Sequence, residues 1–304
     1  RHYDLLHSHW ILPQGFTGAM AAGPLRIPHV LTAHGGDVFA LRGGVLTAFK
    51  RFALKNADAV TVNSSATQRA VESIAPGLVN LHRVPMGVTI HSMPKEDPVV
   101  VEIRNRYRRG NGPLLLFVGR VVHEKGIEDF LQAVGRLSDL MPEVTGVIVG
   151  EGQDRPELQA RAGAMDLADR VTFTGWIPSE RVPAFLSAAD VFVGPSRQAK
   201  DGWVEAQGLT FLEAMIARTP VVATRVGGIV DSVRDGQTGL LVDEQAPEQI
   251  AQAVLRLFRE PGLAATLVEN GFHLAATEFS REATALSFAE LFAKLISKRT
   301  QNPP

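Results

Sequence analysis

Two acidic residues stand eight positions apart in an otherwise uncharged run, GWVEAQGLTFLEAM, at residues 202–215. Glu205 precedes Gly208, and Glu213 falls in the helical pattern that follows this glycine. The pattern predicts a helix whose unpaired N-terminal amides lie between the two carboxylates. Carboxylates suit the paired hydroxyls of a ribose or hexose, and amides suit a phosphate. The alternative is that Glu213 only complements the helix dipole and Glu205 is an exposed acid.

Two cations follow an apolar run that begins at Leu114. Arg120 and Lys125 lie in the loop of LLLFVGRVVHEKG, before a helix that opens near Gly126. Ligands of open α/β sheets bind at the carboxyl ends of strands, where helix N-termini expose N–H groups. Arginine can fork onto two phosphate oxygens, and lysine adds a point charge. The loop is therefore a candidate anion site; alternatively, both cations are solvated and one pairs with Glu124.

Signatures of several other enzyme classes are absent from the sequence. It contains no G-x-S-x-G, no H-E-x-x-H and no phosphate loop ending in Gly-Lys-Ser/Thr. The segment GEGQDR (150–155) begins like a dinucleotide fingerprint but has Arg155 where the third glycine belongs. No Asp-x-Asp pair is present to clamp Mg²⁺ or Mn²⁺ on a diphosphate, so no metal site is predicted.

Composition indicates a globular protein of two domains. The 304 residues are 45% hydrophobic, and 31 basic residues nearly balance 32 acidic ones, so no global field attracts nucleic acid. There is no cysteine, which excludes disulfides and thiolate metal sites. No apolar run reaches the roughly 18 residues of a spanning helix. The N-terminus, RHYDLLHSHW, lacks the order of a secretion signal. We expect a cytoplasmic protein.

Ten short apolar runs alternate with longer amphipathic helical patterns. Strands that are apolar throughout suit a parallel sheet covered by helices on both faces, so the predicted fold class is doubly wound α/β. The runs are DLLHSH (4–9), HVLTA (29–33), AVTVN (59–63), LHRVP (81–85), LLLFVG (114–119), VTGVIVG (144–150), VTFTG (171–175), VFVGP (191–195), PVVAT (220–224) and GLLV (239–242).

The alternation of strands and helices breaks between about 92 and 112, in a linker that holds one predicted helix. We place the domain boundary near Asp97, which gives an N-terminal domain at 1–97 and a C-terminal domain at 98–284. An amphipathic helix follows at 285–304. Only four runs precede the boundary, whereas six follow it. This asymmetry predicts an incomplete N-terminal domain; a naturally small domain is the alternative.

The order of the motifs resembles that of retaining glycosyltransferase family 4, of GT-B fold. Arg120 and Lys125 are followed by PS (195–196), Glu-x(7)-Glu, PVVAT and GGIVDSVRDGQTGLLV (227–242). Upstream, LTAHGGDV (31–38) is similar to the family's His-Gly motif, and VPMGV (84–88) to its Pro-x-Gly-Val. The resemblance implies two Rossmann-like domains that face a cleft, and a C-terminal helix at 285–304 that crosses back to the N-terminal domain.

The resemblance also implies a role for each matching residue. Arg120 and Lys125 would grip the donor's diphosphate, Glu213 the ribose and Glu205 the transferred sugar. His34 would lie across the cleft near the donor sugar and the acceptor; its alternative is to cap the strand or pair with Asp37. The catalytic set is thus His34, Arg120, Lys125 and Glu205, and the donor-binding set is Gly119, Ser196, Gly208, Leu209, Thr210 and Glu213.

The implied activity is metal-independent, retaining transfer of a hexose from a UDP- or GDP-sugar. The expected acceptor is a saccharide or a lipid-linked saccharide in surface polysaccharide or glycolipid synthesis, with no cofactor. A nucleotide-sugar 2-epimerase, a phosphorylase and a noncatalytic nucleotide-binding fragment remain alternatives. The segment TAFKRFALKNAD (47–58) is compatible with peripheral contact at the inner face of the cell membrane, although an ordinary surface helix has the same pattern.

Some residues depart from the family's pattern. Gln207 replaces an apolar residue and is expected to add a polar group beside the phosphate amides. The insert RQAKDGWV (197–204) is long, and its Trp203 could shape the donor-sugar pocket. Asp231 replaces a glutamate of the Gly-Gly-Ile segment. The first strand of the family's N-terminal domain and its Gly-rich loop have no match.

Overall fold

The computed structural model describes residues 3–41 and 43–301, which fold around two parallel β-sheets. The first sheet has the order β1-β2-β3-β4, with β1 (Leu6–His9), β2 (His29–Ala33), β3 (Ala59–Val62) and β4 (Leu81–Arg83). The second has the order β10-β9-β8-β5-β6-β7, with β5 (Leu114–Val118), β6 (Thr145–Val149), β7 (Val171–Gly175), β8 (Val191–Gly194), β9 (Val221–Thr224) and β10 (Leu240–Val242). Each predicted run holds one strand, so the doubly wound α/β prediction is confirmed.

Helices cover the sheets, which explains why the inner strands are mostly apolar. Every residue of β2, β3, β6, β8 and β9 is buried. The helices are α1 (Phe16–Leu25), α2 (Gly36–Phe39), α3 (Gly44–Lys55), α4 (Ser65–Ile74), α5 (Pro98–Tyr107), α6 (Ile127–Ser138), α7 (Arg155–Ala164), α8 (Val182–Ala188), α9 (Leu209–Ile216), α10 (Ile229–Ser232), α11 (Pro247–Arg259), α12 (Leu263–Thr277) and α13 (Arg281–Gln301).

The chain between the two sheets contains the single helix expected there. Asp97, where the sequence places the domain boundary, caps α5 by accepting the Val99 N–H at 2.9 Å. At the other end of the chain, α13 begins at Arg281, four residues before the expected start at 285. Its Leu291 packs into a small core with Val30 and Ala59 of the first sheet. The last helix therefore covers the N-terminal domain.

Helix α3 corrects one detail of the interfacial-helix prediction. Lys50, one of the cations in the segment at 47–58, is only 2% exposed, and its ammonium donates to the carbonyls of Val38 and Ala40. Phe49 and Phe52 contact the ring of Phe16 yet keep 44% and 42% of their surface exposed. Across residues 3–41 and 43–301, the structure contains no helix with the length and apolarity that crossing a membrane requires.

The strand order of the second sheet places the functional loops. The chain order reverses between β5 and β8, which are hydrogen-bonded neighbours. Such a reversal opens a crevice at the carboxyl ends of the two strands. The loop after β5 carries Arg120 and Lys125, and the loop after β8 carries Glu205. Topology therefore brings these two sequence-predicted motifs to one edge of the sheet.

Candidate active site

The two glutamates flank the start of α9, as the sequence predicts. Gly208 caps this helix in a left-handed conformation (φ 77°), and a side chain there would overlap the ring of Phe211. The apolar face of α9 is buried, so the helix is held firmly with its N-terminus toward the crevice. Glu205 lies in the preceding loop, and Glu213 lies on the second turn. The first amides of α9, Leu209 and Thr210, precede the intrahelical hydrogen bonds.

The carboxylate of Glu205 forms an ion pair with the ammonium of Lys125. The two side chains retain only 13% and 17% exposure, so water screens them less than it would screen a fully exposed pair. The ammonium of Lys125 also lies over the ring of Trp203, with 5.5 Å between Nζ and the ring centroid. The structure thus brings together Lys125 and Glu205, and it adds Trp203 from the long insert.

Backbone geometry around Lys125 fixes its loop. A 3-10 turn (His123–Lys125) ends at Gly126, whose positive φ of 66° suits a glycine and whose Cα faces the carbonyl of Pro195. The loop after β8 is anchored here, since the Arg197 N–H donates to the Glu124 carbonyl at 2.9 Å. The buried guanidinium of Arg197 also lies 2.8 Å from Asp129 of α6. Burial raises the pKa of Asp129, and Arg197 opposes that rise.

Three further predicted residues occupy different surroundings. Arg120 is 65% exposed and lies 3.5 Å from Glu124, the partner that the alternative interpretation named. Gly119 continues the sheet, since its N–H donates to Val149 at 2.9 Å. Ser196 is buried, and its carbonyl accepts the hydroxyl of Thr224. Arg120 is therefore the more accessible of the two predicted phosphate-binding cations.

Glu213 faces a cavity of about 550 Å³ between α8, α9 and the chain after β4. The side chains of Leu209 and Ile216, on the same face of α9, give this cavity an apolar wall. Burial raises the pKa of Glu213, and the nearby charge of Arg281 opposes the rise. Sequence reasoning missed Arg281, which begins α13. The lining residues are Gly87, Val88, Thr89, His91, Ser179, Glu180, Val182, Pro183, Leu186, Leu209, Glu213, Ile216 and Arg281.

His34 follows β2 and makes the contact with Asp37 that the alternative interpretation named. Its backbone N–H donates to the buried carboxylate of Asp37 at 2.9 Å, which is a local turn contact. Its ring reaches His9, with 2.9 Å between Nε2 of His34 and Nδ1 of His9. Burial lowers the pKa of His34. His7 instead packs on the rings of Phe288 and Phe292, and burial with its neighbouring histidines lowers its pKa to about 4.

The N-terminal domain contacts the loop that carries Glu205. Ala206 packs against Gly35, which adopts a φ of 102° next to His34. Gln207 was expected beside the phosphate amides, and that expectation is wrong. Its side chain is 2% exposed and binds both backbone groups of Met86, across the domain interface.

A second interdomain contact lies close by. The Asp231 carboxylate accepts the Ser65 N–H at 2.5 Å and lies 3.7 Å from the guanidinium of Arg83. Asp231, which replaces the family's glutamate, therefore contributes to the domain interface. Within the described part of the chain, no group of three or more His, Cys, Asp or Glu side chains is placed to hold a metal ion.

The sequence matches the profiles of two families in chain order. The profile of the family described as glycosyl transferases group 1 matches residues 101–274, and that of the glycosyl transferase 4-like domain matches residues 1–87. The first match contains Arg120, Lys125 and both glutamates, and the second contains His34. The two matches therefore contain the principal residues of the candidate site.

Curated relatives differ in the reactions that their names describe. A GDP-mannose-dependent alpha-(1-6)-phosphatidylinositol monomannoside mannosyltransferase of Mycolicibacterium smegmatis is 33% identical over 92% of this chain and 74% of its own length. The 2-deoxystreptamine glucosyltransferase of Streptomyces kanamyceticus is 30% identical over 91% and 73%. The alpha-D-kanosaminyltransferase of the same organism is 35% identical over 64% of this chain and 49% of its own. The chain thus spans between about half and three quarters of these relatives.

Solved structures share the fold. The chain superposes on Anabaena Alr3699/HepE, solved in complex with UDP, with a TM-score of 0.85 at 23% identity, covering 96% of this chain and 79% of the other. Sucrose-phosphate synthase from Thermosynechococcus elongatus gives a TM-score of 0.82 at 28% identity, covering 97% and 74%. The architecture is therefore GT-B. With the profile matches and the relatives, this shows that the chain belongs to the glycosyl transferases group 1 family.

Proposed function

We propose that the protein is a metal-independent, retaining glycosyltransferase that moves a hexose from a UDP- or GDP-sugar to a saccharide or lipid-linked acceptor in surface polysaccharide or glycolipid synthesis. The observation that carries the proposal is the arrangement around α9. Its N-terminus has Glu205 with Lys125 on one side and Glu213 with its cavity on the other. A sugar, a diphosphate and a nucleoside follow one another in the same order along a donor molecule.

Each part of the donor has a matching group in this arrangement. The cavity of about 550 Å³ has the size and apolar wall of a small-molecule site, and its Glu213 would accept hydrogen bonds from ribose hydroxyls. The amides of Gly208, Leu209 and Thr210 would bind the phosphates. Lys125 and the exposed Arg120 would supply the charge that offsets the diphosphate as it leaves. Glu205 would then hold a hydroxyl of the transferred sugar.

Retention in this proposal requires no covalent intermediate. The bond between the anomeric carbon and the leaving phosphate oxygen breaks while the acceptor oxygen bonds to the same face of that carbon. The acceptor's proton passes to the released phosphate oxygen. His34 would contact the donor sugar and the acceptor from the opposite domain, as a neutral ring whose pKa burial has lowered. Its contact with His9 holds the ring in place.

A thermal-shift panel tests the donor site. UDP, GDP and their sugar conjugates are added with Mg²⁺ and, separately, with EDTA. We expect at least one nucleotide to raise the melting temperature equally in both conditions, and Glu213→Ala to abolish the shift. Glu269→Ala is a matched control, since the Glu269 side chain is 68% exposed on α12. An unchanged melting temperature with saturating UDP and GDP would contradict the proposal.

Product analysis separates the remaining alternatives. A 2-epimerase would convert the nucleotide sugar without any acceptor, and a phosphorylase would require inorganic phosphate. A noncatalytic nucleotide-binding protein would bind UDP or GDP yet release no sugar. Transfer to an added saccharide acceptor, with the anomeric configuration of the donor preserved in the NMR spectrum of the product, would support the proposal against all three.

We also propose contact with the inner face of the cytoplasmic membrane through α3. Val45, Phe49 and Phe52 lie at helical spacing and keep between 42% and 69% of their surface exposed, with the cations of Arg51 and Lys55 beside them. Exposed aromatic rings next to cations suit an anionic lipid interface.

Cosedimentation with phosphatidylglycerol vesicles at low salt tests this surface. Phe49→Ser combined with Phe52→Ser should reduce pelleting. Phe258→Ser is the control, because Phe258 is 46% exposed on α11 of the other domain. Absence of pelleting for the unchanged protein would remove the membrane proposal and leave the transferase proposal intact.

A further inference from the structure

Gln207 joins the donor-side loop to the N-terminal domain through both halves of its carboxamide. Its Oε1 accepts the Met86 N–H at 2.9 Å, and its Nε2 donates to the Met86 carbonyl at 2.8 Å. The two residues are 121 positions apart in the chain. Gln207 is 2% exposed, so water cannot readily replace these partners. Separation of the two domains at this point would break both hydrogen bonds.

The backbone from Glu205 to Gln207 is held by further contacts. The Glu205 carbonyl accepts the Gly228 N–H at 2.8 Å, and the Gln207 carbonyl accepts the Ser232 hydroxyl at 3.1 Å. Ala206, between them, packs on Gly35 of the N-terminal domain. The three-residue segment from Glu205 to Gln207 therefore has few ways to move. A shift of Met86 would displace the segment that carries Glu205.

Met86 and Gly35 belong to the same domain as His34, which lies next to Gly35 in the chain. Gly35 contacts Ala206 on one side of the segment, and Met86 binds Gln207 beside it. Contacts at two adjacent residues, Ala206 and Gln207, fix the orientation of this segment as well as its position. Through these two contacts, the backbone of the N-terminal domain sets the distance between His34 and Glu205.

We propose that Gln207 is a positioning residue for sugar transfer: by binding Met86, it holds Glu205 and the start of α9 in register with His34 across the cleft. The inference rests on the proposed function. Gln207 acts through other residues and contacts neither donor nor acceptor. Its role is to keep the donor-sugar contact of one domain aligned with the acceptor side of the other.

Two substitutions test the role. Gln207→Leu keeps the size of the side chain but removes both hydrogen bonds. Gln207→Glu keeps an acceptor for the Met86 N–H, and it regains a donor for the Met86 carbonyl only when the carboxyl is protonated. Burial raises the pKa of such a carboxyl, so it is protonated at a higher pH than an ordinary glutamate. Gln252→Leu, at an exposed position of α11, is the matched control.

The expected result is a split between binding and turnover. Gln207→Leu should bind UDP or GDP within about threefold of the unchanged protein, because Glu213 and its cavity remain. Its kcat should fall at least tenfold. The kcat of Gln207→Glu relative to the unchanged protein should rise as the pH is lowered from 8.5 to 6. Hydrogen exchange of the Met86 amide should be faster in Gln207→Leu than in the Gln252→Leu control.

Three results would overturn the inference alone: a kcat of Gln207→Leu within twofold of the unchanged protein, a parallel loss of nucleotide affinity and kcat, or an acid response of Gln207→Glu equal to that of Gln207→Leu. Each presupposes that the unchanged protein binds nucleotide and transfers sugar. If it binds neither UDP nor GDP, the proposed function fails first, and the exchange rate of the Met86 amide still reports whether the interdomain contact exists.

Discussion

Replacing Glu205 by glutamine should strengthen the binding of a nucleoside diphosphate while it slows sugar transfer. The carboxylate forms an ion pair with Lys125, the cation that we assign to the diphosphate. A bound phosphate must therefore compete with Glu205 for the same ammonium, and it then lies next to a displaced negative charge. Glutamine has nearly the same shape, can still accept a hydrogen bond from Lys125 and removes the charge.

The size of the effect follows from the geometry. For a phosphate taken at about 6 Å from the displaced carboxylate, two unit charges repel by about 2.8 kcal/mol at an effective dielectric constant near 20. The side chains of Lys125 and Glu205 are 17% and 13% exposed, so solvent and salt screen part of this repulsion. If screening removes about half, the remaining ~1.4 kcal/mol corresponds to a roughly tenfold increase in affinity.

Isothermal titration calorimetry with UDP and GDP measures the affinity, and product formation from the sugar conjugate measures kcat. We expect Glu205→Gln to bind the diphosphate about tenfold more tightly and to lose at least tenfold in kcat, since the sugar contact is weakened. Glu248→Gln is the control, because Glu248 is 55% exposed and pairs with Arg136 on the surface. Equal or weaker diphosphate binding by Glu205→Gln, with an unchanged control, would refute the reasoning.

Four other outcomes are expected. Burial raises the pKa of Glu213, so the carboxylate takes up its proton at a higher pH than an ordinary glutamate does, and nucleotide affinity should begin to fall at that higher pH. Nucleotide affinities of Glu213→Gln, measured by calorimetry over the same pH range, should lack this fall. The same shift makes ionisation of Glu213 unfavourable in the folded protein. At pH values above the raised pKa, Glu213→Gln should therefore melt at a higher temperature than the unchanged protein. His9→Phe removes the ring partner of His34 and should lower kcat several-fold while calorimetric donor affinity stays unchanged. Gly35→Ala should lower the melting temperature by a few degrees in calorimetry, because a side chain at φ 102° would overlap Ala206.

Local patterns in the sequence were enough to predict the strands and the start of α9. Parallel strands that are covered by helices on both faces are rich in apolar residues, and each of the ten strands lies within one of the runs that the sequence shows. Gly208 is visible for a similar reason, since a left-handed helix cap next to a large aromatic ring favours glycine. These features depend on neighbouring residues, which the sequence displays directly.

Contacts between distant parts of the chain were not predictable in the same way. Gln207 lies beside Gly208 in sequence, which suggested a position near the phosphates, but its direction depends on the backbone of Met86 in the other domain. Arg281 approaches Glu213 only because α13 begins next to the cavity. The pairing of Lys125 with Glu205 likewise depends on β5 and β8 being neighbours in the sheet. Each of these contacts is set by topology and not by local pattern.

The ion pair of Lys125 with Glu205 also couples the binding of the donor's diphosphate to the binding of its sugar. A diphosphate that takes Lys125 leaves the Glu205 carboxylate without its partner in a weakly hydrated place, which is costly. The hydroxyls of a donor sugar can satisfy that carboxylate, whereas a diphosphate without sugar cannot. We therefore expect the intact nucleotide sugar to bind more tightly than the diphosphate in the unchanged protein, and the order to reverse or vanish in Glu205→Gln. The ion pair also favours product release. Once the sugar has been transferred, Glu205 again competes with the remaining diphosphate for Lys125.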